Sequence, residues 1–119
     1  MNNCIFCEII NKNVPAKIVF ENNDFIAFLP LEQVAMGHTL LIPKTHFENI
    51  FDIKKEIFQE LAGVAKTLAE SIAKENSASG INILHASGKD AQQSVGHFHL
   101  HVVPRYPDDG LDLWFKNNL

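Results

Sequence analysis

The chain has 119 residues, enough to bury one core and too few for two ordinary domains, and its composition, 46% hydrophobic and 20% charged, is that of a globular protein. Fourteen acidic against ten basic side chains give a net charge of -4, which excludes the broad basic field needed to hold a nucleic-acid backbone but leaves room for a small anionic substrate. Apolar runs such as Phe25 to Leu29 fall far short of a bilayer span, and Met1-Asn2-Asn3-Cys4 lacks the basic and apolar regions of a signal peptide, so a soluble, cytoplasmic protein with no membrane partner is expected.

The two cysteines stand as Cys4-Ile5-Phe6-Cys7. So short a loop staples nothing, and the spacing suits either a redox pair or half of a metal site. A helical turn is expected from Phe6 to Asn11, and Pro15 stops it from continuing. Two β-rich runs follow, Lys17 to Phe20 and Phe25 to Leu29, joined as a hairpin by the turn residues Glu21-Asn22-Asn23-Asp24. Thr39 to Ile42, bounded by Gly37 and Pro43, fits a third strand.

Between Lys54 and Asn76 the apolar residues Ile57, Leu61, Val64, Ala65, Leu68 and Ile72 fall at helical spacing, with the charged residues mostly off that stripe. This predicts one amphipathic helix, capped near Asp52 and serving to cover a core. After a turn at Ser77 to Gly80, Ile81 to Leu84 reads as a fourth strand and Phe98 to Val103 as a fifth. Strands, one long helix, then more strands predict an α+β fold with a mainly antiparallel sheet.

Three of the six histidines fall within His97-Phe98-His99-Leu100-His101. In an extended strand these three share one face, while Phe98, Leu100 and Val102 share the other, so one face can pack on a core and the other do chemistry. A solvated strand face that merely carries three imidazoles is the bland alternative. One ion held by all three is disfavoured by geometry. At about 3.3 Å per residue, the Cα atoms of His97 and His101 stand about 13 Å apart. A nucleophilic imidazole must be neutral, with one nitrogen free and the other donating to a fixed acceptor, and the ordinary histidine pKa of about 6.5 makes that form available. Attack on phosphorus then splits one difficult displacement into two easier ones.

The run Gln93-Ser94-Val95-Gly96-His97-Phe98-His99-Leu100-His101-Val102-Val103 resembles the signature of the histidine triad (HIT) family. Gly37-His38-Thr39-Leu40-Leu41-Ile42-Pro43-Lys44 resembles the family's second hallmark, and Cys4-Ile5-Phe6-Cys7-Glu8-Ile9-Ile10 the N-terminus of its small zinc-containing bacterial members. The resemblance spans Cys4 to about Arg105. It implies a five-stranded antiparallel sheet with two helices, a domain over 4–106, and a tail over 107–119 packed on the domain or on a homodimer partner, where Trp114 and Phe115 suit a contact. It also implies a phosphoramidase-like hydrolase or transferase acting at the α-phosphate of a nucleotide, with His99 as nucleophile. His38 and His101 would adjoin it, and Ser94, the Val95 amide and Leu31 would bind substrate. In the zinc-bearing relatives the cysteine pair is completed by histidines matching His46 and His97, so a structural zinc on Cys4, Cys7, His46 and His97 is expected.

Three positions depart from the pattern. Pro30 stands where relatives carry an acidic or amide residue for the ribose hydroxyls, with Glu32 nearby; Ala86 replaces an asparagine; and Gln92 replaces a glycine whose loss could narrow the phosphate loop. Lost sugar contacts redirect or weaken binding. Two other classes therefore stay open: a non-catalytic, zinc-stabilised nucleotide-binding or interaction protein, and a metal-dependent hydrolase that chelation would inactivate.

Overall fold

The computed structural model describes residues 4–116. Five strands, β1 (Lys17–Glu21), β2 (Phe25–Leu29), β3 (Thr39–Pro43), β4 (Gly80–Leu84) and β5 (Leu100–Arg105), form one antiparallel sheet in the order β1-β2-β3-β5-β4. A short helix α1 (Ile5–Ile10) and the long α2 (Lys55–Asn76) complete it, with a 3-10 turn at Lys89–Ala91 before β5. The β1–β2 hairpin closes on Asn22, whose side-chain oxygen accepts the amides of Asp24 and Phe25 at 2.9 and 2.8 Å, an Asx turn.

Alternation along the central strands builds two cores, one on each face of the sheet. Phe25, Ala27, Leu41, Phe98, Leu100 and Val102 pack with Leu61, Ala65, Leu68 and Ile72 of α2. Ile26, Phe28, Leu40 and Ile42 point the other way and pack with Phe6 and Ile9 of α1. Because both faces are covered, β3 is buried throughout and β2 throughout except Leu29, and they read as continuous apolar runs rather than alternating ones. The helix α2 buries the stripe its spacing predicts.

Two local expectations need correction. Asp52 does not cap α2: the cap position is Lys54, with no side-chain bond, and the Asp52 carboxylate instead accepts the amides of Glu48 and Asn49 at 2.9 and 2.8 Å. Those two bonds face backwards, closing the loop ahead of the helix. The strand expected from Phe98 begins only at Leu100, because Val95 to His97 bend and the Phe98 amide donates to the Phe47 carbonyl at 2.7 Å instead of joining the ladder.

Beyond β5 the Arg105 guanidinium holds the chain, bonding both Asp109 carboxylate oxygens at 2.9 and 3.0 Å, the Leu111 carbonyl at 2.7 Å and Asn82 at 2.9 Å. Trp114 and Phe115, which follow, are exposed, and the last three residues of the expected tail lie outside the described ones. Among the described residues no helix is long and apolar enough to cross a membrane.

Leu61 is fully buried at the centre of the α2 core. Truncation there leaves a cavity that rigid neighbours on three strands cannot fill, so Leu61→Ala is expected to cost about 2–5 kcal/mol of stability, read as a lower urea midpoint with the slope unchanged.

Candidate active site and metal centre

The bend before β5 places His97 and His99 against α1 and carries His101 into the sheet. Phe6 of α1 meets both rings edge-on, with centroids 5.8 Å from His97 and 5.2 Å from His99. These two histidines and His38 are buried, an unusual place for three imidazoles unless their polar atoms are paired. Every ring nitrogen of the three has a partner except Nε2 of His99.

The His99 Nδ1–H donates to the His97 carbonyl at 2.8 Å, which fixes the neutral tautomer with Nε2 carrying the lone pair. Burial, and then the neighbouring His85, hold its pKa below the ordinary value even though the bond to His97 opposes them, so the ring is neutral near pH 7. A second chain of bonds fixes the other two rings. The Val34 amide donates to His38 Nδ1 at 3.2 Å, so the His38 proton sits on Nε2 and is donated to His101 Nδ1 at 3.0 Å. In neutral His101 the remaining proton is then on Nε2. The ring centroids of His99 and His101 are 5.1 Å apart. One free imidazole lone pair thus stands beside one imidazole N–H donor.

Gly37 delivers His38 to this pair. Its φ is +90°, and a Cβ there would come within 2.9 Å of the Asn76 side chain at the end of α2, so both conformation and space call for glycine.

Ser94 is exposed on the loop ahead of the histidines and Val95 is half-buried against the α1 core. Leu31, by contrast, is 104% exposed on the segment after β2 and packs on nothing, and Glu32 is exposed with it. Gln92 adopts a left-handed conformation, φ +71°, and its side chain is exposed. The cost of non-glycine there is therefore backbone strain, and the side chain points outward instead of narrowing the loop.

Sequence pattern assigns no role to Gln93, yet all four of its hydrogen-bonding positions are used. Its amide nitrogen donates to the Glu48 and Val95 carbonyls at 2.7 and 2.9 Å, and its oxygen accepts Gly88 N–H at 2.8 Å and Asn49 Nδ2 at 3.5 Å. It clamps the Ser94–Val95 loop to the loop ahead of α2. The available signal was its place inside the quoted run, which says nothing of its partners.

On the other side of His97 four side chains converge. Cys4, Cys7, His46 and His97 bring one ligand atom each within 4.8 Å of all the others. Cys4 Sγ is 3.3 Å from His97 Nδ1, and Cys7 Sγ is 3.3 Å from His46 Nδ1 and 3.6 Å from His97 Nδ1. Two thiols and two imidazoles are the donor set of a closed tetrahedral site. The His97 Nε2–H donates to the Pro43 carbonyl at 2.8 Å, leaving Nδ1 free to ligate, the backing that metal-bound histidines need. Burial, with the Cys4 thiol next, pushes Cys7 up to about 11, so this thiol keeps its proton near neutral pH unless a cation displaces it.

Residues 11–108 match the HIT domain family. The chain belongs to the HIT family. It is 42% identical over 117 residues to Protein hit of Bacillus subtilis, covering 98% of this chain and 81% of that protein. It is 36% identical to the adenosine 5'-monophosphoramidase HNT1 of Saccharomyces cerevisiae, over 86% of this chain and 62% of the yeast protein. A zinc-bound histidine triad family protein from Mycobacterium smegmatis shares the fold with a TM-score of 0.89 at 36% identity, covering 98% of this chain and 84% of the other. The five-stranded sheet with two helices is thus the HIT fold, and the two histidine clusters lie on either side of its His97.

Burial holds the His38 pKa below its usual value and, with the like charge of His99 and His38, pushes His101 down to about 4 from 6.5. The unfolded chain binds protons on these rings at higher pH than the folded one. The contribution of these rings to stability is therefore full above about pH 6.5, falls as pH drops through the window down to about 4, and is gone below it. Urea midpoints across that window should show the decline, and His101→Asn, whose amide does not titrate, should make it shallower.

Proposed function

We propose that the protein is a histidine-triad nucleotide hydrolase or transferase that cleaves at the α-phosphate of a nucleoside phosphoramidate or a related nucleotide conjugate. The observation that carries this reading is the His99 tautomer. With Nδ1–H committed to the His97 carbonyl, the only lone pair the ring has to offer is on Nε2. Support for the substrate class comes from the yeast relative's name as an adenosine 5'-monophosphoramidase.

In the proposed mechanism the Nε2 lone pair of His99 forms a bond to the α-phosphorus as the bond from phosphorus to the leaving group breaks and its electron pair departs with that group. The His101 Nε2–H, backed by His38, hydrogen-bonds the leaving group as its charge grows, and water supplies the proton that completes it. Ser94 and the Val95 amide hold the phosphate oxygens. Water then attacks phosphorus, the bond to His99 breaks, and nucleoside monophosphate leaves while the water proton passes to solvent and the neutral imidazole returns. Phe6 covers the ring from the α1 side and keeps bulk water off it.

Zinc is the proposed metal at Cys4, Cys7, His46 and His97. These four side chains would supply a complete tetrahedral donor set, so the metal would tie α1 and the loop after β3 to the bend before β5 and leave no position for substrate. A homodimer acting on a small-molecule nucleotide in the cytoplasm completes the reading, with neither nucleic acid nor membrane as partner.

Intact-protein mass spectrometry after a rapid quench with adenosine phosphoramidate should show a transient adduct of one nucleoside monophosphate on the wild type and none on His99→Ala, with turnover lowered by about four orders of magnitude or more. Equal turnover by the two proteins would sink the proposed nucleophile. Chelation should lower the melting temperature while protein that stays folded still forms the adduct; loss of the adduct with the fold intact would point instead to a metal-dependent hydrolase.

A further inference from the structure

The fourth member of the histidine cluster around β5 is His85, which neither the triad pattern nor the metal site employs. The backbone ladder between β4 and β5 ends at the pair Leu84 and His101. Past that point β4 gives the His99 carbonyl no strand partner, and the His85 side chain supplies one: its Nδ1–H donates to the His99 carbonyl at 2.9 Å. The ring itself is doubly constrained. It stacks on Phe98 with centroids 4.2 Å apart and planes at 24°, and Phe98 in turn meets Phe58 edge-on at 5.7 Å in the α2 core. Its Nε2 accepts a hydrogen bond from the Ser87 hydroxyl, whose oxygen accepts the Ile50 amide at 2.9 Å.

Donor and acceptor roles along this chain are consistent at every link. Ile50 N–H occupies the Ser87 oxygen, the Ser87 proton occupies His85 Nε2, and the remaining proton on His85 Nδ1 is aimed at the His99 main chain. His99 is thereby held twice, its ring by the His97 carbonyl and its carbonyl by the His85 ring. The bend ahead of β5 leaves this residue outside the regular ladder, where main-chain bonds would ordinarily set its place.

We propose that His85 is a positioning residue for the nucleophile, substituting a side-chain donor for the missing strand bond and so fixing where His99 Nε2 stands relative to the phosphate. This rests on His99 being the nucleophile. Displacement of a reacting atom by a fraction of an ångström to about 1 Å lowers the rate of the chemical step by roughly tenfold to a hundredfold and leaves substrate binding almost untouched.

Two variants separate the hydrogen bond from the stacking. His85→Phe keeps an aromatic ring on Phe98 and loses the donor, whereas His85→Asn keeps a donor near the Nδ1 position and loses the ring. In single-turnover adduct formation with adenosine phosphoramidate, His85→Phe should lower the limiting rate roughly tenfold to a hundredfold with the half-saturating concentration changed less than about threefold, and His85→Asn should recover most of the rate. Ring nitrogen NMR reads the arrangement apart from turnover: wild-type His85 should be the Nδ1–H tautomer, and the His99 nitrogen signals should shift in His85→Phe and hold in His85→Asn. A wild-type protein that forms no adduct overturns the nucleophile reading, and the NMR then decides the His85 link alone. Unchanged rates and unchanged His99 signals in His85→Phe overturn the positioning role, as does a rate loss that His85→Asn shares in full.

Discussion

His97 makes three commitments at once, and both clusters depend on them. Its Nδ1 faces two thiols and His46, its Nε2–H is held by the Pro43 carbonyl, and its own carbonyl takes the Nδ1 proton of His99. One residue therefore joins the Cys4, Cys7 and His46 cluster to the free imidazole lone pair through a few covalent bonds. Burial makes these commitments obligatory. The ring is completely enclosed, and an unpaired imidazole nitrogen there would cost the full desolvation of a polar group. Enclosure also pushes its pKa down to about 4, against the raising effect of the Pro43 bond, which keeps Nδ1 available as a ligand near neutral pH.

The sheet provides the rigidity these bonds need. Strands β2 and β3 are covered on both faces, by α2 on one side and α1 on the other, so β3, which pairs with β5, gives the histidines a floor that cannot shift without opening two cores. The short helix is the more delicate half. α1 is only six residues long, too short to be stable alone, and is held by Phe6, Ile9 and a Cys4 cap whose sulfur accepts the Cys7 amide at 3.3 Å. A metal gripping Cys4 and Cys7 would grip this helix at its first turn, beside the ring that covers His99.

Electrostatically the site differs from the rest of the molecule. The chain carries net negative charge, yet the imidazoles around the bend before β5 are held neutral by burial, and their polarity is expressed through directed N–H groups and lone pairs. Such fixed dipoles can face an anionic phosphate without the cost of concentrating positive charge in an apolar setting. Pro30 and Ala86 remove side-chain hydrogen-bonding groups, and the strain at Gln92 sits at the turn that leads into the Gln93 clamp.

The α+β class, all five strands, the buried stripe of α2 and the grouping of His97, His99 and His101 were legible in the sequence, because alternation and helical spacing are local properties of the chain. Leu61, Ala65, Leu68 and Ile72 declare their face by period alone. The motifs also marked Cys4, Cys7, His46 and His97 as a set. Only the tertiary structure decided which nitrogen of each ring is free, since a tautomer is set by partners such as Val34, Pro43 and the His97 carbonyl that arrive from other segments. The same holds for Asp52, whose carboxylate turned back to its own loop, for the delayed start of β5, drawn aside by Phe47, and for His85, whose partner lies 14 residues along the chain. Local pattern encodes which face a residue takes; a hydrogen bond between distant segments exists only once packing has brought its two ends together.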